Sequence, residues 1–125
     1  MLGNANAIPT IAVKDLSAAR QFYETVLGLE LEREKPEAQL VLYKSGNGLV
    51  QVYVSATAGS NQSTYVTWEV SDIEAAVDEL KSKGVSFEHY QDMPGVSLEG
   101  DIHVWPDEKA AWFKDPDGNV LCLHS

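Results

Sequence analysis

The segment "IAVKDLSAARQFYETVLGLEL", residues 11–31, decides the fold, because the chain contains a second version of it, "TWEVSDIEAAVDELKSKGVSF", residues 67–87. Val13 matches Val70, Asp15 matches Asp72, Leu16 matches Ile73, Ala18 and Ala19 match Ala75 and Ala76, and Tyr23 matches Leu80; Gly28 and Gly84 align after a one-residue slip. In each copy a short apolar strand runs into an aspartate whose carboxylate can accept the free amides of a helix's first turn, so Asp15 and Asp72 read as N-caps. Leu16, Ala19, Tyr23 and Leu27, then Ile73, Ala76, Val77 and Leu80, recur at three- and four-residue spacing and predict one buried helical stripe in each copy. Each helix is expected to stop at its glycine, which takes a left-handed C-terminal conformation without steric cost.

Strand-like runs follow both helices. The first half offers "LELERE", "QLVLYKS" and "LVQVYVS"; the second offers "SFEHY", "AAWFKD" and "NVLCLHS". "SGNG" and "DPDGN" are the turn signals before the last strand of each half, with Pro116 presetting one backbone angle and Gly118 tolerating a positive one. The result is a strand, a helix and about three strands, twice over: an α+β fold in one 125-residue domain, with a first module at 1–56, a linker at 57–63 and a second module at 64–125. The stretch "DMPGVSLEGDIHVWPDEK" has no counterpart in the first half and is read as irregular, with residues 92–109 serving as a lid, a dimer contact or core cover.

Composition narrows the partners. A formal net charge of -10 repels a phosphate backbone, so no nucleic acid and no anionic membrane is expected. No window approaches the roughly 18 uninterrupted apolar residues of a membrane-spanning helix. The one cysteine, Cys122, has no partner for an internal disulfide, and the N-terminus lacks the pattern of a secretory signal; a cytoplasmic protein acting on a small-molecule ligand is expected. "GNG" in "KSGNGL" leads into a strand rather than a helix and is not a phosphate cradle, and no cofactor is expected.

"VKDLSAARQFYETVLGLEL" (13–31), followed by the closing "FKDPDGNVLCL" (113–123), resembles the vicinal oxygen chelate superfamily of glyoxalases, bleomycin-resistance proteins and extradiol dioxygenases. The resemblance implies two βαβββ modules whose mixed sheets curl around a cleft, commonly completed in a homodimer. It also implies four metal-ligand positions. The family's first ligand lies seven residues before the V-x-D aspartate, at Ile8; the same count from Asp72 reaches Tyr65; the last, normally Glu, falls at Cys122; and laying "NGLVQVYV" over "GNVLCLHS" puts Gln51 opposite Cys122. Ile8 has no lone pair, an amide such as Gln51 is a weak neutral donor, and a phenol ligates only after losing a proton it holds up to a pH of about 10 in water. One thiol does not hold a metal, so no metal is expected.

Alternation along the strands places Thr10, Gln51, Tyr53, Tyr65, Thr67, Cys122 and His124 on the implied cleft face, with Trp112 joining them if its strand keeps register. That lining suits a flat, partly apolar ligand oriented by a few hydrogen bonds. Packing in the core is the competing role for each of these side chains. Tyr65 and His124 are the candidate acid or base groups. His124 is penultimate, however, and a frayed, solvated end is expected for it. His89 is placed on a strand after "SFE", and His103 on the cleft rim. Cys122, between Leu121 and Leu123, reads as a buried, inert thiol. Three functions follow: a metal-free binder of a small aromatic molecule, a glyoxalase-type lyase, isomerase or dioxygenase with a non-standard metal site or metal-free chemistry, or an interaction module with an empty cleft.

Overall fold

The computed structural model describes residues 1–125, and the chain divides into two compact units, Met1–Gln62 and Ser63–Ser125. In the first, β1 (Thr10–Val13) leads to Asp15, whose Oδ1 accepts the Ser17 and Ala18 amides at 2.9 and 3.2 Å and starts α1 (Leu16–Arg20). The expected single α-helix is corrected at this point. Residues Gln21–Val26 widen into a π-helical segment in which the Leu27 amide bonds to the Phe22 carbonyl, five residues back, at 2.9 Å. The widened turns carry Tyr23 and Glu24, the two residues that Tyr43, distant in sequence, engages by ring stacking and by a hydrogen bond. Tyr23 is fully buried and stacks on Tyr43 at 6.2 Å, and Gly28 closes the segment at φ 74°.

β2 (Glu30–Lys35), β3 (Leu40–Ser45) and β4 (Gly48–Val54) complete the first unit, and its sheet runs β1-β4-β3-β2 with β1 parallel to β4. The helical segment covers one side only. Tyr43 donates its Oη to Glu24 Oε2 at 2.9 Å, and Arg20 binds both Glu24 and Glu34. Burial first, and Glu24 second, push the Tyr43 phenol up, whereas the Arg20 guanidinium holds the Glu24 carboxyl below its usual range. Ile11, Val13, Val41, Val50 and Val52 pack on this covered side.

In the second unit, β5 (Thr64–Glu69) precedes α2 (Ile73–Ser82), capped by Asp72 Oδ1 on the Ala75 amide at 3.0 Å and ended near Gly84 at φ 93°. Replacing either capping aspartate with alanine is expected to cost about 1 kcal/mol, read as a lower urea midpoint. After α2 come β6 (Phe87–Glu88), β7 (Ser97–Glu99), β8 (Ile102–Trp105), β9 (Glu108–Lys114) and β10 (Val120–His124). The sheet order is β5-β10-β9-β8-β7, with β6 also pairing to β9, and β10 runs parallel to β5. Lys109 Nζ reaches Glu74 of α2 at 2.6 Å, so the side of β9 that bears Lys109, Ala111 and Phe113 is the one α2 covers. Ile73, Val77, Leu80, Val66 and Leu121 are buried with them.

The stretch read as irregular contains a hairpin, β7 against β8, turning at Gly100 with φ 64°. Strands this short leave little alternation to detect. The turn is pinned by Asp101, which takes Lys81 Nζ and His89 Nε2 at 2.7 Å each and is held below the usual carboxylate range, first by Lys81 and then by His89. His89 itself lies just beyond β6. The chain end is also corrected: His124 closes β10, its carbonyl accepts the Val70 amide at 2.9 Å, and Ser125 exchanges two backbone hydrogen bonds with Lys109. Pairing on both flanks holds an end that in isolation would fray.

The "DPDGN" turn has a buried anchor. Asp115 Oδ1 accepts the Asp117 and Asn119 amides at 3.0 and 2.9 Å, Oδ2 takes Asn119 Nδ2 at 2.8 Å, and Gly118 turns at φ 85°. Asp115→Ala removes three bonds to a charged acceptor at once and is expected to destabilise by about 3 kcal/mol, measured by urea unfolding.

Candidate functional site

Because each helix covers one side of its sheet, the register assigns every candidate to a side. In the second unit Cys122 pairs with Trp112 on β9 and Thr67 on β5, and His124 pairs with Ala110 and Glu69. Ala110 pairs in turn with His103, Glu108 with Trp105, and Trp112 with Glu88. Paired residues share a face, so all of these lie on the side without the helix, the open face. Thr64 joins them at a register shift, where β5 contributes one more residue than β10 opposite Val120 and Leu121; Tyr65 is the extra residue, partly exposed at this bulge.

Trp112 is the centre of this face. Its Nε1 donates to Thr64 Oγ1 at 3.1 Å, and its ring meets Tyr90 and His103 edge to face, with centroids 5.5 and 4.9 Å away. The indole is partly exposed and held from several directions, as a rigid stacking surface requires. His103 is fully buried beneath this group, which corrects its placement on the rim. Its Nε2 accepts the Tyr90 amide at 2.8 Å, and an accepting nitrogen makes the ring neutral, with its proton on Nδ1. Burial lowers the His103 pKa, opposed in part by the Ala110 backbone.

The sign of that shift gives a test. In the unfolded chain a histidine gains its proton near pH 6.5, whereas folded His103 resists protonation, so its contribution is fully present above about pH 6.5 and is lost as pH falls through the folded value. Between pH 7.5 and 5.5 the urea midpoint of the wild type is expected to fall further than that of His103→Gln, whose amide oxygen can still accept from Tyr90.

His124 brings its Nδ1 to 2.7 Å from Glu69, without the alignment of a hydrogen bond, and its Nε2 to 3.5 Å from Glu108. Cys122 is buried, its Sγ directed at the Leu123 carbonyl at 3.3 Å, and burial pushes its thiol up to about 11. It carries a proton at neutral pH and offers no nucleophilic thiolate.

In the first unit Thr10 pairs with Gln51, and Tyr53 lies two residues farther along the same open side. Gln51 Nε2 donates to Thr10 Oγ1 at 3.4 Å, and Thr10 Oγ1 donates to the Ile8 carbonyl at 3.0 Å. Ile8 lies before β1 and is 41% exposed. The register thus gathers Thr10, Gln51 and Tyr53 on one open face, and Thr67, Trp112, Cys122 and His124 on the other, with Tyr65 at its bulge. Thr64, Tyr90 and His103 were absent from the expected lining. The signal for His103 was the alternation of Ile102 and Val104 with His103 and Trp105 beyond the Gly100 turn.

These residues do not fit a metal. Ile8 has no donor atom in its side chain, Gln51 offers one neutral amide oxygen, and Cys122 is a single buried thiol. No three His, Cys, Asp or Glu side chains gather anywhere in the chain in a way that could hold a metal ion. No helix is long and apolar enough to cross a membrane.

Two units on a βαβββ plan, the second enlarged by the β7–β8 hairpin, each with a mixed sheet covered by a helix on one side, define a class shared by ligand-binding proteins and enzymes. The sequence matches the family described as the Glyoxalase/Bleomycin resistance protein/Dioxygenase superfamily over residues 7–123, and the chain belongs to it. Among solved structures, a glyoxalase family protein from Enterococcus faecalis is similar at a TM-score of 0.72 and 22% identity, covering 100% of both chains. Lactoylglutathione lyase from Agrobacterium tumefaciens is similar at 0.71 and 20% identity, covering 97% of this chain and 92% of that one. TnmS3, an antibiotic binding protein from Streptomyces sp. CB03234, is similar at 0.66 and 20% identity, covering 96% and 95%. No curated protein matches the sequence.

Proposed function

We infer that the protein binds a small, planar, largely apolar molecule without a metal, on the open face of its second unit. The observation that carries this reading is Trp112: a partly exposed indole fixed by Thr64, Tyr90 and His103 in a neighbourhood with no metal-ligand cluster. The fold likeness to an antibiotic binding protein supports it. In this reading the protein is a cytoplasmic homodimer, and light scattering in solution tests the dimer.

A thermal-shift screen of planar aromatic compounds tests the binding. A ligand present at a hundred times its Kd is expected to add about 2.7 kcal/mol of stability to the wild type, with a much smaller shift in Trp112→Ala, and to be recovered unchanged. A panel that shifts neither protein overturns the reading. One feature favours a catalytic alternative: His124 has a carboxylate near each ring nitrogen on the same face, an arrangement suited to moving a proton. Under that reading the bound compound is converted to product, and His124→Ala abolishes the conversion.

A further inference from the structure

We propose that residues 90–93 form a strap over the buried ring of His103, latched while that ring is neutral and lifted when it takes up a second proton. Residues 89–96, between β6 and β7, pair with no strand, and side chains of β8 hold them at two points. The Tyr90 amide donates to His103 Nε2 at 2.8 Å, and Trp105 Nε1 donates to the Pro94 carbonyl at 3.1 Å. His103 and Trp105 stand two residues apart on β8 and so share a face. The root of the segment is fixed separately, by His89 against Asp101 at 2.7 Å. Both outer ties survive acid: an indole donates at any pH, and a protonated imidazole still pairs with a carboxylate.

The middle tie does not. Nε2 accepts only while it keeps its lone pair, and a second proton sets N–H against N–H across 2.8 Å in a site with no exposure to water. β8 holds His103 by pairing on both flanks, with Leu98 of β7 and Ala110 of β9, neither of which brings a charge. Over the ring lie Tyr90 and Trp112, also uncharged. Glu88, beyond Trp112, is tied to Lys114; Glu69 and Glu108 stand around His124, on the far side of Ala110; Asp101, at the β7–β8 turn, takes Lys81 and His89. α2 and its charges cover the opposite side of the sheet. His89, when charged, acts on the ring against a second proton. A charged His103 therefore has no counter-ion in place and needs water.

Lifting residues 90–93 admits water from the side that Nε2 faces. It breaks no strand pairing, so it costs less than unfolding the unit. Burial makes the latched ring resist protonation, whereas in the lifted form it is a solvated histidine. The strap is therefore closed above about pH 6.5 and opens as pH falls through the lower value of the latched form. Opening also takes Tyr90 off the Trp112 ring, whose centroid lies 5.5 Å away. The device works in the empty protein, whatever the face binds.

The test is residue-resolved NMR on the unliganded full chain from pH 7.5 to 4.5. Amide exchange is corrected for the intrinsic effect of pH, and the His103 ring nitrogens are followed in the same samples. Protection of the Tyr90 amide is expected to fall several-fold, with the midpoint at which the ring titrates, while the paired amides of β9 and β10 keep theirs. In His103→Gln, whose side chain accepts but does not titrate, Tyr90 protection is expected to stay level. A Tyr90 amide equally protected on both sides of the ring's titration overturns the proposal, as does a ring still neutral at pH 4.5. Loss shared by β9 and β10 also overturns it, since the whole unit then opens. An equal loss in folded His103→Gln places the trigger elsewhere and overturns it too. If that variant does not fold, agreement or disagreement of the two wild-type midpoints decides alone.

Discussion

Phe113→Ala is expected to be the most destabilising single substitution considered, at about 3–5 kcal/mol. Phe113 is 0% exposed, meets the Phe87 ring at 5.6 Å and pairs across β9 and β10 with Leu121, on the side that α2 covers. A packed interior does not close over a missing aromatic ring, so the loss combines hydrophobic transfer with a cavity. Against the 5–15 kcal/mol of stability typical of a natural protein, that is a large share. With a slope of about 2 kcal/mol per molar urea, the unfolding midpoint is expected to fall by roughly 2 M. Ile8→Ala, at an exposed position before β1, is expected to stay within about 0.5 kcal/mol of wild type and serves as the control.

The second large effect is on binding. Trp112→Ala is expected to weaken an aromatic ligand by about 2 kcal/mol, roughly thirty-fold in Kd, as loss of a central aromatic contact does at other interfaces. Trp112→Phe keeps a ring but loses the Nε1 bond to Thr64, and its affinity is expected to fall between alanine and wild type. Because the indole is only partly buried, both variants should remain folded at the temperatures used for titration. Calorimetry with the best compound from the screen measures the order.

The fold was legible where local chemistry repeats. Asp15 and Asp72 cap helices, Gly28 and Gly84 end them, and the "DPDGN" turn closes on Asp115, because each role depends on one side chain and its immediate neighbours. Features set by distant contacts were not legible. The π-helical segment at Gln21–Val26 satisfies its backbone five residues back, a spacing with no distinctive side-chain pattern. The β7–β8 hairpin depends on Asp101 meeting Lys81 and His89.

The same division runs through the site. Alternation counted from the positions the family resemblance implies puts Thr10, Gln51, Thr67 and Cys122 on the cleft side, while the surroundings of Trp112 needed the strand pairing. Tyr90 and His103 reach the indole only because β6 and β8 share one edge of β9. The penultimate position of His124 pointed to a loose tail, whereas backbone pairing from Lys109 and Val70 fixes it between two carboxylates.

Metal dependence of ligand affinity is the most direct measurement of the central claim. The best aromatic ligand is titrated calorimetrically into protein dialysed against EDTA, then into the same protein supplied with nickel, zinc, manganese or iron, with metal content read by inductively coupled plasma mass spectrometry. Saturable binding in EDTA, unchanged by any metal and with trace metal retained, is the predicted result. Binding that appears only with near-stoichiometric metal would contradict the account.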